Sequence, residues 1–260
     1  PTRTEIGILE QRLGEIAELI GRRAHLIELG SGASVKIRSL LNALPDLAQY
    51  TAVDISRDFL LQSAETLALD YPSLNVAAVC ADYTEAFDVP NPAAHPDAHR
   101  VAFFPGSTIG NLVHGEAVAF LERISRMLGK GGGLLIGVDL KKDTSVLRAA
   151  YNDSEGVTAA FNLNLLQRIN AELDGDFDLS AFSHDAVYLE NPGRVEMRLI
   201  SLKDQIAHVA GQEFAFRKGE YLHTENSHKF TVEEFRDLCS RAGFAPVASW
   251  TDAEELFSVH

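Results

Sequence analysis

The chain has 260 residues, 46% of them apolar, and a formal net charge of −14, enough apolar material for one large core or one and a half domains. It has no run of the ~18 apolar residues that a spanning helix needs, so no membrane contact is expected. The negative charge opposes contact with nucleic-acid phosphates and favours a small-molecule substrate, in a monomeric cytoplasmic protein without nucleic-acid partners. Cys80 and Cys239 give neither a disulfide framework nor a metal spacing, so both are read as core thiols in a reducing compartment and no metal site is expected. A chain that opens Pro1-Thr2, without methionine, reads as cut from something longer.

Glu5 to Ile20 carries apolar residues at Ile6, Leu9, Leu13, Ile16, Leu19 and Ile20, the spacing of one amphipathic helix. Leu26 to Lys36, LIELGSGASVK, then combines a short buried strand ending in Glu28 and Leu29 with a glycine turn and the start of a helix. Gly30 and Gly32 let the backbone bend tightly and approach a ligand. The dinucleotide fingerprint would place a third glycine near position 35, where this chain has Val35, which weakens the pyrophosphate reading.

Tyr50 to Ile55 is a second buried strand, and Asp54 at its carboxyl end is placed to accept from ribose hydroxyls. Arg57 to Leu69 reads as a helix capped by Ser56. Val76 to Cys80 is a third strand, followed by Asp82 and Tyr83, an acid and a ring that suit an adenine. A phosphate would be repelled by Glu28, Asp54 and Asp82 together. S-adenosylmethionine fits this edge, because it has an adenosine, an amino-acid tail and a sulfonium but no phosphate.

The stretch from Phe87 to His99 is a loop rich in proline, alanine and aspartate, so the i, i+4 pair His95 and His99 does not share a helix face. Val101 to Phe104 is the next strand, followed by the turn through Asn111, a helix from Gly115 to Leu128, and Gly131-Gly132-Gly133 leading into the strand Leu134 to Val138. Five β-α units in series predict a parallel sheet with right-handed crossovers. From Asp143 to Lys229 the alternation stops. Helical stretches Ser145–Tyr151 and Ala159–Leu173, a solvated acidic turn at Asp174–Asp178, and strand-like Val195–Ser201 and His208–Phe216 make this an insertion. Thr231 and Glu234 have capping-box spacing at the start of a helix to Ala242, and Phe244–Trp250 with Leu256–Val259 pair as a closing hairpin. The expected fold is α/β, a Rossmann-like class I methyltransferase parallel sheet with a closing antiparallel hairpin. Residues 1–142 and 230–260 form the cofactor-binding domain, and 143–229 an inserted α+β substrate domain.

Four separated motifs carry a more specific likeness: Phe104 to Leu112 (FPGSTIGNL), Ala150 to Asp153 (AYND), Gly156 to Asn164 (GVTAAFNLN) and Thr224 to Lys229 (TENSHK). Together they resemble the S-adenosylmethionine-dependent histidine Nα-methyltransferases of ergothioneine biosynthesis. The resemblance implies transfer of three methyl groups in turn to the α-amine of histidine, giving the betaine hercynine, with S-adenosylhomocysteine as product. It implies that Gly30, Lys36, Asp54, Asp82 and Tyr83 hold the cofactor, Lys36 through the methionine carboxylate. Asn111 would hold the α-amine, Tyr151 the substrate's carboxylate end, and Glu225 with Ser227 the imidazole. Without the motifs, Asn111 is a turn asparagine satisfying its own backbone, Tyr151 a core tyrosine, and TENS a polar loop before a helix. Two alternatives stand beside this reading: methylation of another amino acid such as a tryptophan derivative, and a truncated cofactor-binding module with little activity. The family's further N-terminal segment, which precedes the PTRTE motif and helps to close the pocket, is missing from this sequence.

Overall fold

The computed structural model describes residues 1–32 and 36–260 and divides into two compact units, Pro1–Leu140 with Phe230–His260, and Lys141–Lys229. Position 35 lies outside the described residues. The first unit is built on five parallel strands, β1 (His25–Leu29), β2 (Gln49–Asp54), β3 (Val76–Cys80), β4 (Arg100–Phe104) and β5 (Gly133–Asp139). Two antiparallel strands, β11 (Trp250–Thr251) and β12 (Phe257–Val259), extend the sheet to the order β11-β12-β5-β4-β1-β2-β3.

Side chains alternate across each strand, so the sheet buries two separate cores. Leu26, Tyr50, Ala52, Val101 and Phe103 pack on one face against α1 (Thr2–Gln11), α2 (Leu13–Ile20), α3 (Ile37–Ala43) and α4 (Arg57–Asp70). Ile27, Leu29, Val53, Phe104 and Val138 pack on the other against α5 (His114–Leu128) and α8 (Val232–Arg241).

Several sequence expectations are corrected here. The single N-terminal helix is two helices, broken at Arg12 (φ −110°, ψ 11°), which lets Ile8 and Leu9 as well as Ile16 and Ile20 reach one core. The connection from β3 to β4 carries no helix, so the run of five β-α units is interrupted where prolines 90, 92 and 96 deny backbone donors. Ser56 stands at the N-cap of α4 without a side-chain cap bond, and Asp54 Oδ1 accepts from the Ser56 amide instead, at 2.9 Å. Cys80 is exposed, because β3 is the edge strand of the sheet, whereas Cys239 is buried and its thiol is pushed up to about 12 by burial. The closing hairpin is shorter than expected, with strand pairing only from Trp250, since Pro246 cannot donate to a ladder.

The second unit holds α6 (Thr144–Tyr151), α7 (Val157–Glu172) and a three-stranded antiparallel sheet in the order β10 (Tyr221–His228), β7 (Arg194–Ser201), β6 (Phe182–Leu189). The stretch expected as one strand, His208–Phe216, is the hairpin β8 (Gln205–Val209) and β9 (Gln212–Phe216). Ala210 and Gly211 both have positive φ, the twist a two-residue hairpin turn requires. The acids expected in a solvated turn are exposed there and also make surface contacts: Asp176 accepts from the His208 amide at 2.6 Å, and Asp178 from Lys203 at 2.8 Å. TENS is not a loop but the interior of β10, paired with β7 across a register shift between His223 and Glu225. A bulge of this kind re-aims the side chains that follow it.

Candidate active site

In the first unit the glycine turn follows β1 with Gly30 at φ +70° and Gly32 at φ +47°, conformations in which a side chain would be strained. A Cβ on Gly30 would also meet the Tyr83 ring at 3.4 Å, so Tyr83 lies directly against the turn. Asp54 Oδ2 accepts from the Gly32 amide at 3.4 Å. Gly30, Asp54 and Tyr83 therefore come together at the carboxyl ends of β1, β2 and β3. The Tyr83 ring packs edge-on against Phe104 and Phe120, at centroid separations of 5.6 and 6.2 Å, and burial, then Asp54 and Asp82, push its hydroxyl above the usual range. Asp82 is exposed, and bonds from the Thr84 hydroxyl and amide hold it below the usual carboxylate range.

One sequence reading changes at this edge, that of Glu28, and Lys36 gains a partner the sequence did not show. Glu28 is buried, accepts from Tyr50 Oη at 2.5 Å, and is pushed up to about 8 by burial, against the pull of that bond and of Lys36. It is therefore neutral near pH 7, and repulsion of a phosphate rests on Asp54 and Asp82 without it. Lys36 is an ion-pair partner of Glu5, a carboxylate only 1% exposed. Glu5 also accepts from the Gly106 amide, at 2.9 Å through Oε1 and 3.1 Å through Oε2. It fills the space beside Gly137, where a Cβ would stand 2.0 Å from Oε1. Sequence reasoning missed Glu5, whose only signal was an acid on the buried side of the first helix.

Beyond β4, Gly106 (φ +86°) and Ser107 (φ +59°) are both left-handed, and Ser107 Oγ accepts from the Asp139 amide at 2.9 Å. A non-glycine residue held there stores strain, which concentrates at functional sites. The single 3-10 turn Thr108–Asn111 then presents Asn111 to solvent. Among the described residues the Asn111 side chain has no hydrogen-bond partner, so it does not satisfy its own backbone as a turn asparagine would.

In the second unit Tyr151 ends α6, and its main chain and neighbours are fastened by the AYND and GVTAAFNLN motifs. His184 Nε2 bonds the Tyr151 carbonyl at 2.8 Å, and Asn162 bonds His184 Nδ1 at 2.9 Å. Asn152 takes both the carbonyl and the amide of Ala186 at 2.9 Å. Asp153 caps α7 through the amides of Val157 and Thr158, both at 2.8 Å, and is held down to about 2, chiefly by the Thr158 hydroxyl. Tyr151 Oη lies 2.7 Å from Ser227 Oγ, and Lys229 Nζ donates to both, each at 2.8 Å. Glu225 is half-buried, and burial raises it against the opposing charge of Lys229. Tyr151, Glu225 and Ser227 are thus brought together, along with Lys229, which sequence reasoning did not single out although it closes the TENSHK motif.

The cofactor edge can be tested against the ligand proposed for it. Ser31 Oγ is buried with no hydrogen-bond partner among the described residues, an orphaned donor inside the glycine turn. With Asp54 bonded to a turn that admits close backbone approach and the Tyr83 ring against it, these residues fit S-adenosylmethionine, which offers hydroxyls and an amine and carries no phosphate.

The architecture and the parallel order of its sheet define a class I methyltransferase fold. The CcbJ methyltransferase of Streptomyces caelestis superposes with a TM-score of 0.54 at 14% identity, covering 97% of this chain and 88% of that one. The family described as histidine-specific, S-adenosylmethionine-dependent methyltransferase matches residues 1–260, and the chain belongs to it. Histidine N-alpha-methyltransferase of Mycolicibacterium smegmatis is 40% identical over 97% of this chain and 78% of its own length. Ergothioneine biosynthesis protein 1 of Neurospora crassa is 31% identical over 98% of this chain and 29% of its own length. Among the described residues no helix is long and apolar enough to cross a membrane.

Proposed function

We propose that this chain transfers methyl groups from S-adenosylmethionine to the α-amine of L-histidine until the trimethylated betaine is formed. The first unit would bind the cofactor through Gly30, Ser31, Lys36, Asp54, Asp82 and Tyr83, and the second would recognise the amino acid. The observation that carries the reading is the pairing of Glu225 with Ser227 on β10, in a member of a histidine-specific family. A carboxylate accepts from one imidazole N–H, and a hydroxyl two residues along meets the other ring nitrogen. Leaving both unpaired against an apolar ring costs several kcal/mol, on the order of 2 to 6 for two buried polar groups.

When bound, S-adenosylmethionine supplies an electrophilic methyl group on a sulfonium. The chain's own part is to hold a neutral amine in line with its lone pair directed, and to exclude water. Asn111 is assigned to the amine, since its carboxamide is uncommitted, and Tyr151 to the substrate's carboxylate end. No acid in either unit is assigned as a general base.

The test is incubation with labelled S-adenosylmethionine and each of the twenty amino acids, read by mass spectrometry with fragmentation. Trimethylated histidine bearing all its label on the α-nitrogen is the expected product. Label on an imidazole nitrogen, or a preference for another amino acid, would refute the proposal.

A further inference from the structure

Lys229 is 2% exposed, and its amine ends on two hydroxyls that already touch each other. Its Nζ also lies 4.8 Å from the centre of the Tyr151 ring. An ammonium has only protons to give, so one lone pair on each hydroxyl oxygen is taken. The contact between Tyr151 and Ser227 uses one further proton and one further lone pair. A phenol is the stronger donor and the poorer acceptor of the two, so Tyr151 donates and Ser227 accepts, and Tyr151 meets the substrate's carboxylate end through its ring edge rather than its proton. Both lone pairs of Ser227 are then occupied, and its own proton is left to point outward.

We propose that Lys229 is a specificity-determining residue that fixes Ser227 as an obligate hydrogen-bond donor, so that the substrate ring must present an unprotonated nitrogen there. This rests on the assignment of Glu225 and Ser227 to the imidazole. Neutral imidazole has one N–H for Glu225 and one lone pair for Ser227. Imidazolium has two N–H groups and a positive charge, and meets both the Ser227 proton and the Lys229 cation. An indole has an N–H but no acceptor nitrogen, and leaves the Ser227 proton unpaired.

Lys229 is the cation hydrogen-bonded to both hydroxyls. On β7 the residues opposite Ser227 and Glu225 are Val195 and Met197, while Arg194, Glu196 and Arg198 alternate to the other side and pair with one another. On β6 Tyr188 shares the cross-strand row of Val195 and Ser227, His184 bonds the Tyr151 carbonyl, and Asp185 lies opposite Arg198 on the other side. On β10 the titratable groups are Glu225, the exposed Tyr221 and His223, the latter bonding the Glu225 carbonyl at 3.1 Å, and the buried His228 between Ser227 and Lys229.

The test compares histidine with 1,2,4-triazolylalanine, whose ring stays neutral where imidazole titrates, as a ratio of kcat/KM. The shared α-amine and protein groups acting equally on both substrates cancel. In the wild-type chain the ratio falls about tenfold between about pH 7.5 and 5.5, as an imidazole with pKa about 6.5 protonates. In Lys229→Met it falls less than about threefold, because Ser227 recovers a lone pair and can accept from imidazolium. Tyr151→Phe, which also frees that lone pair while keeping the lysine, flattens the profile in the same direction and serves if the lysine variant does not fold. A purely structural Lys229 lowers both substrates alike and leaves the wild-type profile in both variants, which would overturn the proposal. Ser227→Ala separates the two levels. If it leaves the histidine KM unchanged, the ring assignment itself fails; if it raises that KM while both other variants keep the wild-type profile, only the role of Lys229 fails.

Discussion

Lys36 pairs with Glu5, and through Glu5 it is tied to the Gly106 amide at the start of the turn that presents Asn111. The first helix thereby braces the region between the cofactor turn and the substrate turn. Its carboxylate is buried and depends on Lys36 for charge balance.

Lys36→Met should therefore destabilise the ligand-free chain by about 3 to 5 kcal/mol, the cost of leaving a buried carboxylate unpaired. Adding Glu5→Gln should return much of that loss, since the amide can still serve Gly106 without a charge. Chemical denaturation of the two single variants and the double variant measures the coupling. Additive effects would show that the pair is incidental.

Glu28 gives the fold a pH dependence with a definite sign. Its carboxyl rises from 4.5 to about 8 on folding, so between those values the folded state holds the proton and the unfolded state does not. Stability contributed by the neutral acid is complete below about pH 4.5 and is lost as pH rises through about 8. Glu28→Gln, neutral throughout, should gain stability relative to the wild type on going from pH 5 to about pH 8. Melting temperatures of both proteins across that range check this, and parallel curves would place the titration elsewhere.

Asp54→Ala should weaken S-adenosylhomocysteine binding by about 1.5 to 3 kcal/mol through loss of charge-assisted hydrogen bonds to the ribose. Asp82→Ala should cost less, because Asp82 is exposed and already spends one oxygen on Thr84. Calorimetric titration of both variants decides, and unchanged affinity in the Asp54 variant would remove it from the cofactor site.

How much of this was legible in the sequence depended on whether a residue's role is local. Leu26, Ile27 and Leu29 before two glycines identify a buried strand and its turn, because strand burial and positive φ leave marks within a few residues. Thr231 and Glu234 likewise form the capping box their spacing suggests, with bonds of 3.1 and 2.8 Å. The contact of Lys36 with Glu5 was not legible, because that partner stands 31 residues earlier, on another helix. Glu28 looked like a charge until its burial beside Tyr50, again from a different element, left it neutral. β10 was hidden because its polar run Thr224-Glu225-Asn226-Ser227 lacks the apolar alternation of a half-buried strand, a pattern that fits side chains turned toward a polar ligand. Lys229 had the ordinary look of a solvated lysine, and only the packing of Tyr151 and Ser227 around its amine distinguishes it.

The division of labour between cofactor edge and substrate pocket is tested most directly on Glu225→Ala, by the histidine-to-tryptophan ratio of kcat/KM together with S-adenosylhomocysteine affinity. Loss of a hydrogen bond to a charged group should raise the histidine KM at least about tenfold and narrow the preference for histidine, because it removes a buried carboxylate that penalises apolar rings and opens volume. Cofactor affinity should stay within about twofold, since no cofactor contact is assigned to β10. A lower melting temperature with an unchanged histidine-to-tryptophan ratio would contradict the account and place the substrate pocket elsewhere.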